Sequence, residues 1–306
     1  MTTAIGIDLG GTNIKGVLLS AKGDVMHQVA QATDPGSTPN NKKGQHWKQT
    51  VLQMILELKS KSPNPVNAIG LAAPGLPNEN NSAIRVMPAR LDGIENFMWA
   101  DYLHEKEVWI LNDAHAALIA EARFGIGQGI KNIVMLTWGT GVGGGVLING
   151  ELYQGSYQMA GHLGHMILDV YNEDPGIVGM PGTLENAIGD STILKRSLGR
   201  IKSTHELVKA YRQGNSFATY IWLNTVRQLA LGLCSLCNLL SPELIILGRG
   251  VTKAGDALYK PLADFIDVYE WKNTGKKTPI KQAGYGEMAG AVGAAGFAFD
   301  KVALAS

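Results

Sequence analysis

Residues 5–23, "IGIDLGGTNIKGVLLSAKG", hold a short apolar run, a glycine turn entered through an aspartate, and a second apolar run closed by a polar turn. Two such runs about a Gly-rich turn form the pattern of a β-hairpin. The same grammar returns at residues 134–150, "VMLTWGTGVGGGVLING". Shifted by 129 positions, Asp8 falls on Thr137, Gly10 on Gly139 and Gly16 on Gly145. Val17-Leu18-Leu19 then falls on Val146-Leu147-Ile148. Agreement in the turn glycines and in the following run reads as a duplicated hairpin unit.

Between the copies the chain alternates. Trp47 to Lys61 has apolar residues at helical spacing and stops at Ser62-Pro63. "NAIGLAAPG" (67–75) and "VWILND" (108–113) read as strands, and Ala114 to Phe124 as a helix. After the second hairpin comes an irregular, glycine-rich stretch over 154–184. Helices are expected near 185–199, 204–213 and 216–240, then the strand "ELIILG" (243–248), a turn at "GRG" (248–250) and a last helix from about Glu287 to Ala303. The loops 34–46 and 74–81 are surface candidates. Strands followed by alternating helices and strands, twice over, predict a two-lobed α/β protein with a central cleft.

Bulk properties narrow the function. At 306 residues, 45% apolar and 17% charged, the chain suits one large or two ordinary globular domains. A net charge of +1 without a basic run argues against nucleic acid as a partner. Cys234 and Cys237 are the only cysteines, which excludes a disulfide framework and suits a reducing compartment. The start, MTTAIGIDLGG, has no signal-peptide character, and Ile221 to Leu240 is too interrupted by polar residues for a membrane span. The expectation is a cytoplasmic protein with no membrane partner.

The glycine turns suggest what is bound. Asp8-Leu9-Gly10-Gly11-Thr12 ends a strand with backbone amides and a hydroxyl at a tight turn, where phosphate can approach closely. Asp8 is placed to hold Mg²⁺, through water because Mg²⁺ sheds its shell reluctantly. Thr137, Gly139, Thr140 and Gly141 offer a second nest, and Gly248 and Gly250 a third turn, for a nucleoside. Read singly, such glycines simply make hairpin turns; together they predict an ATP clamp. Neither a P-loop nor a strand–GxGxxG–helix unit is present, since "GTGVGG" (139–144) precedes a strand.

In this order the motifs resemble the ROK family of sugar kinases, within the hexokinase and actin-like ATPase superfamily. The resemblance spans nearly the whole chain: DLGGT (8–12), GLAAPG (70–75), ND (112–113), GTGVGGG (139–145), NG (149–150), AG-x-x-GH (160–165), G-x-x-G-x-LE (179–185), SPELIILG (241–248) and GEMAGAVGAA (286–295). It implies two RNase H-like lobes, here 1–116 with 290–306 and 117–289. The implied activity is ATP- and Mg²⁺-dependent phosphorylation of a sugar hydroxyl, in the simplest case the 6-hydroxyl of a hexose. Asp113 matches the family's general base; read alone, an aspartate before an Ala-rich helix is equally an N-cap. Asn112, His165 and Glu185 match positions that bind sugar hydroxyls, and Gly75 the turn beside the sugar. Lys15 stands near the phosphate turn, with a solvated charge as its plain reading. Sugar and ATP are the implied partners, and a homodimer is common in the family.

Three departures follow. Many members bind a structural zinc through the histidine of the GH pair and a C-x-C-G-x-x-G-C pattern. Residues 176–183 read GIVGMPGT, so the glycines remain, the three cysteines do not, and no structural zinc is expected. Cys234 and Cys237 read as buried thiols on a core helix. His162 stands where the family has glutamate; an imidazole cannot meet the hydroxyl pattern a carboxylate meets, which puts glucose in question as the preferred sugar. Arg249 replaces a frequent glycine, either to contact the nucleotide or to face solvent. Competing readings are a kinase for another sugar, an N-acetylated sugar or a cyclitol, a catalytically silent sugar binder, and a sugar-responsive regulator. The last is not expected, because the phosphate hairpin begins at Ile5 and a DNA-binding module would precede it.

Overall fold

The computed structural model describes residues 2–33, 46–87, 91–176, 178–273 and 275–305; most of the expected loop at 34–46 lies outside them. The first hairpin forms from β1 (Thr3–Leu9) and β2 (Asn13–Ser20). There follow β3 (Val25–Ala32), α1 (His46–Ser60), β4 (Ala68–Ala73), β5 (Leu76–Pro77), β6 (Ile84–Val86), α2 (Trp99–Leu103), β7 (Val108–Asn112) and α3 (Asp113–Phe124). The second hairpin is β8 (Ile133–Trp138) with β9 (Val142–Ile148), and β10 (Glu151–Leu152) follows it. Next come α4 (Leu184–Ile188), α5 (Ile193–Arg196), α6 (Thr204–Arg212) and α7 (Ser216–Leu240). The chain ends with β11 (Leu244–Gly248), α8 (Asp256–Tyr269), β12 (Ile280–Gln282) and α9 (Ala289–Ala305).

Two compact units divide these elements. One comprises Met1–Gly129, Leu152–Ala160 and Gly284–Ser306; the other comprises Ile130–Glu151 and Gly161–Ala283. Each has a five-stranded sheet of the same order, β3-β2-β1-β4-β7 in the first and β10-β9-β8-β11-β12 in the second. In both, the glycine hairpin is antiparallel and its first strand pairs parallel with the next, β1 with β4 and β8 with β11. The duplication read in two hairpins therefore extends to the sheets.

The pairing corrects the 129-residue correspondence in its second half. Leu9 faces Ile14 across a four-residue turn, and Gly10 N donates to Asn13 O (3.1 Å). Trp138 faces Val142 across only three residues, and Gly139 N donates to Gly141 O (3.0 Å). With one residue fewer in the turn, Ile7 opposite Gly16 corresponds to Leu136 opposite Gly144, not Gly145. Sites of this kind fit glycine. A Cβ on Gly16 would meet Leu58 and Val29 side chains at 3.0–3.1 Å, and one on Gly144 would meet Leu163 at 2.6 Å.

Helix α1 buries Trp47, Val51, Met54, Ile55 and Leu58, one stripe at helical spacing, against the first sheet. In the second unit Trp138 stacks on Trp222 of α7 (centroids 5.9 Å, planes 12° apart). The helix expected over 185–199 is broken at Gly189, whose extended ψ of 146° ends α4; a 3-10 turn and α5 follow. Among the described residues no helix is long and apolar enough to cross a membrane.

Helix α9 explains why α3 lies whole in the first unit, whereas the expected change at 116/117 cut through it. A Cβ on Gly293 of α9 would fall on the carbonyl oxygen of Ala116 in α3, 3.0 Å from its Cα. On the other side of α9, a Cβ on Gly6 of β1 would fall on the carbonyl oxygen of Ala291. One on Gly70 of β4 would fall on that of Ala294. Small residues thus let α9 meet sheet and α3 backbone to backbone.

Candidate active site

In the first unit the sheet gathers three motifs at one end. Asp8 is in register with Ala72, and Ala73 with Asn112, so β1, β4 and β7 all deliver their next residues at their carboxyl ends. Open parallel sheets bind ligands there. The turn after β4 needs φ +106° at Gly75, where a Cβ would also lie 2.6 Å from Val86 O, so glycine is required twice over.

Asn112 ties this end together. Its Oδ1 accepts from Ala114 N (2.9 Å) and His115 N (3.4 Å), capping α3, and its Nδ2 donates to Gly75 O (3.0 Å). The cap of α3 is therefore Asn112, and Asp113 is the first helical residue. Asn112 is only 6% exposed and its amide is engaged within the protein, so it orients the Gly75 turn and Asp113 together. Asp113 is half-buried, and its Oδ1 accepts from Ala114 N (3.0 Å).

The Asp8 carboxylate lies against the start of α9: a Cβ on Gly290 would be 2.5 Å from its Oδ2. A helix N-terminus favours negative charge. Thr33 secures the adjoining turn, donating through Oγ1 to Gly10 O (2.6 Å) and through N to Thr12 O (2.9 Å). Gly11 and Thr12 stay exposed. Lys15 pairs with Glu287 (Nζ–Oε2 2.7 Å).

In the second unit the glycine turn is held from behind. Gly139 O accepts from Asp190 N (3.1 Å), and Thr140 O from Ser191 N (3.0 Å). Arg196 secures that segment by donating to Ile188 O (3.2 Å) and Gly189 O (3.0 Å). Burial lowers its guanidinium to about 10, against the opposing charge of Asp190. Thr137 is 3% exposed and faces Gly143 and Gly248 in the sheet, so the hydroxyl this turn presents is that of Thr140. Arg249 has φ +73°, a strained region for a side-chain-bearing residue, and its Cδ is 3.5 Å from a Cβ on Gly139. It lies along the turn. A cavity of about 780 Å³ opens beside Gly139, Thr140, Gly250 and Val251, with Lys209 and Arg212 of α6 on its wall.

Val142 is where the remaining residues meet. Its amide donates to Glu185 Oε2 (2.7 Å), and Glu185 is 6% exposed. Gly164 sits on Val142, with a Cβ there 2.9 Å from the valine Cβ, while Leu163 covers Gly144. So seated, the 3-10 turn Leu163–His165 places the rings of His162 and His165 side by side (centroids 5.9 Å, planes 20° apart).

At the positions of the zinc cysteines stand Gly176, Val178 and Thr183. Among the described residues no three His, Cys, Asp or Glu side chains form a group able to hold a metal. The donor set does not fit zinc. Cys234 and Cys237 lie on α7, and burial pushes the Cys234 thiol up to about 11 and raises Cys237 in the same direction. The loop is closed by Asn186, whose Nδ2 donates to Asp174 O (2.8 Å) and Met180 O (3.1 Å), with Lys195–Asp174 beside it (2.6 Å). Asn186→Ala should cost about 1–3 kcal/mol by stripping two carbonyls of their donor. In thermal denaturation the variant should melt lower, while a zinc-selective chelator should not shift the parent's Tm.

Among the buried polar residues that sequence reasoning missed are Asn186, and His115 and Glu121 of α3, both 0% exposed. A lone glutamate in an Ala-rich helix was the available signal for Glu121; its distant partners leave no local trace.

With the geometry in place, comparison with known proteins is direct. The ROK family profile matches residues 4–301. A glucokinase of Halalkalibacterium halodurans is 30% identical over 94% of this chain and 92% of its own. The ROK hexokinase of Thermus thermophilus superposes with a TM-score of 0.86 at 26% identity, covering 99% of both chains. A ROK family glucokinase from Streptomyces griseus, solved with glucose and AMPPNP, gives a TM-score of 0.76 at 24% identity, over 97% of this chain and 99% of that one. The fold is thus the actin-like ATPase fold of the ROK sugar kinases. Matching motifs, doubled sheets and an end-to-end family match lead to one conclusion: the chain belongs to the ROK family.

Proposed function

We propose that the protein transfers the γ-phosphoryl group of ATP to a sugar hydroxyl, in the simplest case the 6-hydroxyl of a hexose. The observation that carries this is the setting of Asp113. It is half-buried, stands at the head of α3, and is fixed beside the Gly75 turn through Asn112. Asp113 takes the sugar hydroxyl proton as that oxygen attacks phosphorus, which supplies about 10²–10⁴-fold. Positioning and charge stabilisation supply the rest, since the transition state is loose. Gly10 and Gly139 close the two turns through their own amides, and the amides of Gly11 and Thr12, with those of Thr140 and Gly141, bind phosphate oxygens. The cavity beside Gly250 and Val251 takes the nucleoside, with Gly248 at the end of the strand that leads to it. The relative from Halalkalibacterium halodurans, a glucokinase, supports the same reading.

Mg²⁺ fits the donors present, because it binds through one or two carboxylates and keeps several waters. Asp8 would hold it through water, and bound there it would neutralise charge on the phosphates. Gly75, Asn112, His162, His165 and Glu185 form the sugar side of the proposal. The free thiols Cys234 and Cys237 suit a cytoplasmic enzyme. A homodimer remains part of the proposal on the family resemblance alone.

The test is release of ADP over a panel of hexoses, N-acetylhexosamines and cyclitols; turnover of none would refute the kinase reading. His162→Glu should reorder the sugars by kcat/KM by about tenfold or more, since a carboxylate accepts where imidazole must also donate. An unchanged ranking would remove His162 from the sugar site.

A further inference from the structure

The chain passes between its two units at 129/130, 151/152, 160/161 and 283/284. Helix α3 holds the segments at three of these crossings. The carboxylate of Glu121 accepts from Gly284 N (2.7 Å) and Tyr285 N (2.8 Å) through Oε1, and from Ile126 N (3.3 Å) through Oε2. Its backbone carbonyl accepts from Gly125 N (3.1 Å) and Gly127 N (2.9 Å). One residue therefore binds both the turn leading to Gly129 and the turn by which the chain returns at Gly284. Tyr285 adds a bond from its hydroxyl to Phe124 O (3.1 Å). Two residues after the start of α3, the Nε2 of His115 is 3.1 Å from the carbonyl oxygen of Ala160, the last residue before another crossing. With its proton on Nε2 the ring donates that bond.

A carboxylate buried to 0% exposure is costly unless its oxygens are met, and a leucine at 121 would fill the same space without that cost. What the charge adds is the gathering of amides from segments that are neither helix nor strand. Asp113 stands two turns earlier on the same 12-residue helix, so base and anchors move as one body.

We infer that Glu121, with His115, is a positioning residue: it fixes the segments beside the crossings to the helix that carries Asp113, so that the base keeps a set place relative to them. The inference rests on the phosphotransfer reading, in which a base held out of place lets water compete for the transferred phosphoryl group. In the parent protein, hydrogen exchange should show the amides of Gly284 and Tyr285 protected although they lie outside regular elements; exchange as fast as in a free loop would overturn the anchor. Glu121→Gln turns a donor toward one of these amides. It should speed exchange at 126 or 284–285 and lower kcat about tenfold. It should also raise the ratio of ADP released to sugar phosphate formed above one. A ratio that stays at one with parental kcat and KM would overturn the positioning role, whatever happens to Tm. Should the variant not fold, exchange in the parent decides the anchor. If the parent phosphorylates no sugar, the kinase reading falls and the catalytic role with it, while exchange at 284–285 still judges the anchor separately.

Discussion

Asp113→Asn is expected to lower kcat about 10²–10⁴-fold and leave KM and the folded state nearly unchanged. At 25 °C this corresponds to roughly 3–5 kcal/mol of lost transition-state stabilisation. The substitution is close to isosteric, and the asparagine oxygen can still accept from Ala114 N, the bond seen at 3.0 Å. The helix cap does not change, because the cap is Asn112. What disappears is a group able to take a proton. Steady-state kinetics and a melting curve on the same preparation check both halves; turnover equal to the parent's would remove Asp113 as the base. Asn112→Ala makes the contrast. It removes the cap and the bond to Gly75 together, so about 1 kcal/mol of stability should go along with the activity.

The largest stability effect is expected at Gly293. Alanine is the better helix former by about 1 kcal/mol, so propensity alone predicts a gain in α9. The environment reverses this. The new Cβ would fall on the carbonyl of Ala116, a backbone group of a packed helix that cannot swing aside. Helix α9 would have to lift from α3, a shift that presses its backbone onto Gly6 and Gly70 on its other side. A loss of about 4 kcal/mol or more is expected, a large part of a domain's 5–15 kcal/mol. Gly232→Ala in α7 is the matched control. There the nearest atoms are side-chain methyls of Leu184 and Met166 at 3.3–3.6 Å, which can give way. Denaturant midpoints should separate the two; equal midpoints would mean the approach of α9 to α3 is not as tight as described.

The hairpins and their turns were legible because strand periodicity and turn glycines are local signals. Asp113 was legible through the resemblance, but its place as first helical residue was not: both Asn and Asp make good caps, and only the backbone decides between them. Strand β3 escaped because its residues are mostly exposed and carry no apolar stripe. Helix α8 escaped because Gly255 and the internal Pro261 disguise its start and middle. The sugar-side expectation for Glu185 could not foresee its bond to Val142, 43 residues away in the chain. The anchors of α3 were invisible for the same reason, since Glu121 finds Gly284 and Tyr285 across 163 and 164 residues.

The missing residue in the second glycine turn bears on how the two halves may be treated as parts. Grafting Gly10–Asn13 in place of Gly139–Gly141 would slide β9 one position along β8, and side chains along a strand alternate between faces. Val142 would then lose the position from which it meets both Glu185 and Gly164. Recombination between the halves succeeds only where a turn travels with its outgoing strand. They behave as descendants of one module that can no longer exchange components.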